Sequence, residues 1–254
     1  MRIHTKGPVV ALLIGTIFVS GAGRSQAQEP KKEAKADPAA FTMLQEAHDK
    51  RENFPAGFTG LTANLTVSDE TGEVKGSITY SSKGELTVSL ASGSTEQQKW
   101  AKDQLGSAFG HRQADDFSHG DGANPLTFVS DDHSPLGKQI ALNDKYNSMY
   151  RVSGGHITQV TRSMGPTIRF TITVTGDRNL PNGKYLPAQF TVTYFDATSG
   201  AIKRLDMFTD SFRKLGDAWV PSTRRVITAE NGKFSTRMLQ LDEIKSLDIS
   251  AAAK

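Results

Sequence analysis

Between His111 and His133 the sequence gathers its densest set of side chains able to do chemistry. His111, Asp115, Asp116, His119 and Asp121 stand in "GHRQADDFSHGDGANP", and Asp131, Asp132 and His133 follow a little further on. Imidazole and carboxylate are hard or borderline ligands, so a Gly-rich loop could fold them around a zinc or another divalent ion, and a metal-dependent hydrolase would work from here. Their spacing matches no motif that fixes ligand geometry. The competing reading is a polar loop of turn formers, because Asp and Gly accept unusual backbone angles.

Elsewhere the catalytic signatures are missing. There is no Gly-x-Ser-x-Gly elbow, no His-Glu-x-x-His helix, no phosphate loop, and no Gly-x-Gly-x-x-Gly between a strand and a helix. Glu73, Glu85 and Glu96 fall at turns or a helix start and form no carboxylate pair for acid–base work. His156 opens the strand "HITQV" and reads as a half-buried packing residue. The "NLT" at Asn64 lies inside a predicted strand and is discounted as a glycosylation site. The chain has no cysteine, so disulfides, iron–sulfur clusters, thiolate zinc and thiol nucleophiles are excluded. We expect no catalytic residue, no metal and no cofactor.

The elements that must position these residues are mostly strands. Asp37 followed by Pro38 is a helix start, and Phe41, Leu44, Ala47 and His48 recur at helical spacing behind it. "GLTANLTV", "VKGSITY" and "GELTVSL" alternate apolar and polar residues and are joined by polar turns, which predicts an antiparallel meander. Ser94 with Gln97 is a capping-box pattern, and Trp100, Ala101, Leu105, Ala108 and Phe109 continue it, so a second helix runs from Thr95 to about Phe109. Beyond Pro125 nearly everything is strand and turn. A phase slip at Met238–Leu239 suggests a bulge. With no βαβ rhythm the sheet must be antiparallel and large, of roughly ten strands, and so many strands curl. The expected class is α+β: an open, strongly curved antiparallel half-barrel with two helices on its concave face.

The N-terminus carries Arg2 and Lys6 and then an apolar run from Val9 to Val19, too short to span a bilayer. It reads as a signal peptide, residues 1–27, cut after Ala27, with a cut near Ala22 as the alternative. No cysteine follows it to carry a lipid anchor. The expected address is therefore the periplasm or the medium, with nothing spanning the membrane after cleavage. Residues 28–36 read as a disordered linker, 37–247 as one domain and 248–254 as a flexible tail. Of the 30 Lys and Arg, three (Arg2, Lys6, Arg24) lie in the signal, which leaves 27 against 27 Asp and Glu. A neutral mature chain lacks the electrostatic footprint of a nucleic-acid binder, so "KRL" and "TRRV" read as solvated strand faces.

The apolar pattern is more informative than the polar one. In "TIRFTITVTG", Ile168, Phe170, Ile172 and Val174 alternate with Thr and Arg, so one face of that strand is dry. Phe190, Val192 and Tyr194 on the next strand extend the patch. Trp100, Leu105 and Phe109 on the second helix could cover it, with Phe41 and Leu44 on the first. An apolar strand face normally just packs, but two small helices are short cover for so large a sheet.

The C-terminal run from "FTVTYFDATSG" through "DMF", "LGDAWVP" and "TRRVI" to "LDEI" resembles the closing hairpins of periplasmic lipoprotein carriers of the LolA type and related lipoprotein-sorting domains. From about Phe41 to Leu247, with "AHDKRENFPAGFTGLTANL", "YRVSGGHITQVTRSMG" and "LGDAWVP" as landmarks, the chain is similar to an exported bacterial family known only as a domain of unknown function. The carrier resemblance implies an unclosed curved sheet around helices with an apolar cavity for acyl chains. The carriers' functional arginine on an early strand has no counterpart in "GLTANLTV" or "VKGSITY", where Lys75 is the nearest basic residue.

Together these features predict an exported, non-enzymatic protein that holds an apolar or lipid-like small molecule. Phe170, Ile172, Phe190 and Tyr194 would form the floor of its site, and Trp100 and Leu105 the lid. The alternatives are the metal-dependent hydrolase working from His111–His133 and an envelope interaction module without ligand.

Overall fold

A computed structural model describes residues 35–247. The signal peptide, all but the end of the linker, and the tail lie outside those residues. The chain opens with helix α1 (Pro38–Asp49), then strands β1 (Gly60–Asp69), β2 (Gly72–Ser81) and β3 (Leu86–Leu90), and helix α2 (Thr95–Gly110). After two short 3-10 turns come β4 (Thr127–Phe128), β5 (Lys138–Ala141), β6 (Met149–Ser153), β7 (His156–Met164), β8 (Ile168–Asn179), β9 (Tyr185–Asp196), β10 (Ile202–Leu215), β11 (Ala218–Glu230) and β12 (Lys233–Ser246). All twelve strands form one sheet in the order β3-β2-β1-β12-β11-β10-β9-β8-β7-β6-β5-β4. Each neighbouring pair is antiparallel, and β3 and β4 are left as the two edges, so the sheet is open as expected and two strands larger.

Both helices begin where their caps direct. The Asp37 carboxylate accepts the backbone N–H of Ala39 at 2.9 Å and of Ala40 at 3.4 Å, with Pro38 in the first turn, where its missing N–H costs nothing. Ser94 and Gln97 close the full capping box at α2. One turn further on, Gln98 spends its amide on the free edge of β3. It accepts from Leu90 N at 3.1 Å and donates to Val88 O at 2.5 Å, which blunts an edge that could otherwise pair with another strand.

Strand alternation puts one continuous set of side chains on the face that carries both helices. In register across the sheet, Tyr150, Val160, Ile172, Val192, Asp206, Thr228 and Ser235 form one such inner row. The threonines of "TIRFTITVT" face outward, where the hydroxyls of Thr161 and Thr171 meet at 2.9 Å. The slip expected at Met238–Leu239 is absent. β12 pairs with β11 in unbroken register from Lys233 to Gln240, with Leu239 buried on the inner face and Met238 half-buried on the outer. The shift falls instead between Thr62 and Asn64 of the β1–β12 pairing, beside Glu243, which takes φ 50°. Pro221 sits opposite Phe212 at the slip in the β10–β11 pairing, a place where a missing ladder N–H is tolerated.

The helices flank the inner face; they do not share its middle. α2 buries Ala101, Leu105 and Phe109 against Leu61, Leu65, Val67, Tyr80, Leu239 and Leu241. α1 buries Ala40, Leu44 and Ala47 against Ile140, Leu142, Tyr150 and Val152, with Phe117 packed edge-on to Phe41 at 5.2 Å. The expectation that Phe41 and Leu44 would cover the β8–β9 patch is therefore corrected. They lie over β4 to β7, where Asp37 N at the start of α1 donates to Leu126 O at 2.8 Å and Ala40, Leu44 and Ala47 pack on Ile140, Tyr150 and Val152. One end of the inner face is closed by residues 50–58. Glu52 N donates to Tyr185 O and Tyr185 N to Lys50 O, while buried Arg112 lies between the rings of Phe54 (5.0 Å) and Phe212 (5.7 Å).

Candidate functional site

The middle of the inner face, over β8 to β11, is apolar and incompletely covered. Phe170, Val192, Phe208 and Val226 are buried there, while Trp100, Ile172, Phe190 and Tyr194 pack on them and keep part of their surface open. Phe190 stacks on Phe208 at 4.6 Å between ring centres, and Phe170 meets Tyr194 at 6.4 Å. The outcome is a groove floored by aromatic and β-branched side chains.

Five of the six expected site residues, Trp100, Phe170, Ile172, Phe190 and Tyr194, come together in this groove. Leu105 does not. It is 2% exposed and belongs to the core under α2 with Leu61 and Tyr80. Five residues of helix turn the side chain by about 140° from Trp100 at about 100° per residue, so Trp100 touches that core only from its edge and also reaches the β8–β11 cluster, while Leu105 points into the core. Of the α2 residues, Trp100 reaches the floor, its ring held under Arg237 (5.6 Å), which also pairs with Glu96 at 2.7 Å.

The groove has polar walls that the sequence reading assigned to solvent. Arg224 of "TRRV" is 6% exposed. It bonds Asp210 through two nitrogens at 2.8 and 2.6 Å, donates to the Gln104 carbonyl at 3.1 Å, and lies over Phe208 at 5.3 Å. Arg204 of "KRL" bonds Asp206 at 2.9 Å, and Asp206 also accepts the Thr228 hydroxyl at 2.7 Å. On the opposite wall Tyr150 donates its hydroxyl proton to Asp121 at 2.6 Å, and Arg162 bonds both. Burial pushes the Tyr150 phenol above its usual range. A signal for these residues existed: Asp206 and Asp210 share the phase of Phe208 and Phe212, and Arg224 shares that of Val226. Charged residues in phase with an apolar face are inward-facing.

His111, the C-cap of α2, is exposed, and its ring lies within electrostatic reach of Arg51, Arg224, Arg162 and Asp115. Its pKa is lowered to about 4, first by burial of the ring and then by the positive charges of Arg51, Arg224 and Arg162. It is neutral at neutral pH. The other members of the His/Asp region disperse. Asp115 turns to His48 at 3.0 Å, Asp116 to His119 at 2.7 Å and to Ser118 N at 2.8 Å, Asp131 to His133 N at 2.9 Å, and Asp132 to Arg151. Among the described residues no three His, Asp or Glu side chains gather to hold a metal. Asp116, Asp131 and Asp132 cap their own turns through the backbone N–H groups of Ser118, His133 and Ser134. His156 is half-buried, stacked on Tyr185 at 4.0 Å and bonded to Asp177 at 2.7 Å.

Two open hollows among the described residues lie elsewhere. One, of about 450 Å³, is set between α1 and Val152–Gly155, and the other, of about 280 Å³, lies against β1, β2 and the end of β12. None of the six expected residues lines either. No described helix is long and apolar enough to cross a membrane.

Solved structures similar to the chain include one described as an outer membrane lipoprotein-sorting protein domain from Vibrio parahaemolyticus, at 8% identity and a TM-score of 0.33, covering 85% of this chain and 97% of that one. LprF from Mycobacterium bovis matches at 9% identity and a TM-score of 0.22, covering 84% and 96%. The MucA/MucB complex of Pseudomonas aeruginosa matches at 11% identity and a TM-score of 0.19, covering 83% and 99%. No curated protein matches the sequence. The model of a family described as a protein of unknown function, DUF3386, matches residues 35–247, and the chain belongs to that family.

Proposed function

We propose that this chain is an exported, non-enzymatic binding protein that holds an apolar or lipid-like molecule along the groove over β8 to β11. The observation that carries the reading is the half-open aromatic surface of Trp100, Ile172, Phe190 and Tyr194 on a buried floor of Phe170, Val192, Phe208 and Val226. Covering about 100 Å² of such surface contributes roughly 2.5 kcal/mol, so an acyl chain laid along the groove gains without any chemistry. Leu105 has no part in it. The basic start and apolar run of residues 2–19 support export.

Arg204, Arg224 and Arg162 line the walls already paired with Asp206, Asp210 and Asp121. They supply polar edges without a net field, which suits a ligand whose long dimension is apolar. The test is organic extraction of the purified protein followed by mass spectrometry, with a titration of a fluorescent fatty acid alongside. A co-purifying amphiphile, displaced by the probe and lost in Phe190→Asp, is expected. No amphiphile in the extract and no probe binding would defeat the reading.

A further inference from the structure

Because the strands run as a meander, their hairpin tips alternate between the two ends of the sheet. The β5–β6, β7–β8, β9–β10 and β11–β12 connections lie at one end, and the β6–β7, β8–β9 and β10–β11 connections at the other. Among the described residues the exposed large hydrophobic side chains are Tyr146 (40%), Met164 (40%), Ile202 (64%) and Phe234 (73%). One stands on each of the four tips of the first end. None stands at the second end, where the turns are Gly154–Gly155, 181–184 and 216–217.

Each of the four tips also carries an exposed cation: Lys145 with its ammonium 4.9 Å from the Tyr146 ring, Arg169 opposite Ser163 with its guanidinium over the Phe195 ring, Lys203 next to Ile202 and paired with Asp196, and Lys233 next to Phe234. Two of the three acids on the same tips face inward to their own turns. Asp144 accepts from Tyr146 N, Ser148 N and the Ser148 hydroxyl, and Asp196 from Thr198 N and Ser199 N as well as from Lys203. Glu230 is the third. The neighbouring β1–β2 tip, with Asp69, Glu70 and Glu73, is acidic and carries no exposed large apolar residue, which marks the border of the patch.

We propose that this end of the sheet docks on an anionic bilayer surface, with Tyr146, Met164, Ile202 and Phe234 entering the headgroup region and the four cations at the level of the phosphates. Successive tips are two strands, about 10 Å, apart, so their side chains cannot merge into the contiguous patch that a protein partner requires. A fluid interface receives each one separately, and long cationic side chains there keep their charge among the lipid headgroups. The inference stands on strand order, exposure and charge and does not depend on what occupies the groove.

The chain has no cysteine, so single cysteines can carry an environment-sensitive dye without background. In the full chain, dye at Phe234→Cys and Ile202→Cys should brighten several-fold and shift to the blue on phosphatidylcholine–phosphatidylglycerol vesicles. Dye at Lys184→Cys and Asp217→Cys, on the opposite end, should not respond. The N-terminal apolar run would draw both ends to the vesicle alike, so the difference between ends is the readout. Adding Ile202→Ser to the dye-labelled Phe234→Cys chain should weaken the response several-fold, as should vesicles of phosphatidylcholine alone. An equal response at the two ends, silence at both, or indifference to Ile202→Ser and to lipid charge would overturn the proposal. Fatty-acid binding by the Ile202→Ser variant should match the unmodified chain, which separates failure here from failure of the groove reading.

Discussion

Beneath α2, the inner face of β1, β2 and β12 is sealed: Leu61, Val67, Leu239 and Leu105 are 0–2% exposed. A few strands away, over β8 and β9, the same alternation of apolar and polar residues leaves Ile172, Phe190 and Tyr194 half-open. The strands do not differ in pattern; the cover above them does. α2 turns Leu105 and Phe109 into the core over β1, β2 and β12 and brings Trp100 to the edge of the groove, and α1 lies beyond the groove over β4 to β7. An apolar strand face is therefore a core or a groove according to what the topology lays over it.

Substitutions can break or sharpen this contrast. The largest effect should come at the joint between the two regions, where Arg224 ties β10, β11 and α2 together. Arg224→Ala leaves Asp210 buried without its partner and should cost about 3–5 kcal/mol in a urea unfolding experiment. A loss below that of a surface substitution would show that the pair does not hold the wall. Leu105→Ala, in the sealed region, should cost about 2–5 kcal/mol and leave probe binding intact. Phe190→Ala, in the open region, should cost only about 1–2 kcal/mol because part of its surface is already in water, yet weaken fatty-acid binding about tenfold. If the two variants exchanged these signatures, the division into core and groove would be wrong.

The last effect is one of pH, and solvent screening reduces it because His111 is exposed. The folded state holds the His111 pKa near 4, below the unfolded value of 6.5, so between those two values the unfolded chain binds more protons. Stability contributed by neutral His111 is fully present above pH 6.5, falls as pH drops toward 4, and is flat below. Comparing the pH dependence of unfolding in His111→Asn with the unmodified chain over that window checks the sign. An identical slope in both would place the ring outside the influence of Arg51, Arg224 and Arg162.

Much of the fold was legible because local rules do not need distant partners. Asp37–Pro38 and Ser94–Gln97 cap their helices from within four residues, and strand alternation assigns Phe170 and Ile172 to one face whatever lies opposite. The site was legible only in part. Trp100 and Leu105 looked equivalent as apolar residues of one helix, and only their angular separation, read against the sheet, divides them. Arg224 was assigned to solvent because charge balance says nothing about the partner that Asp210 provides from the adjacent strand. The His and Asp residues of 111–133 looked like one cluster because they are close in sequence, whereas their carboxylates are drawn to their own turns, to α1 or to different strands.

What the sequence alone determined is the alternating dry face, the two capped helices, the absence of thiol chemistry and the basic, apolar start of the chain. These follow from residue type and spacing, which act within a few residues. Only the tertiary structure decided that the dry face is sealed at its flanks and open in its middle, that paired arginines wall the opening, and that the exposed apolar residues meet on one end of the sheet. Each of those depends on strand order and on where a helix comes to rest, and both are set by contacts between residues far apart in the chain.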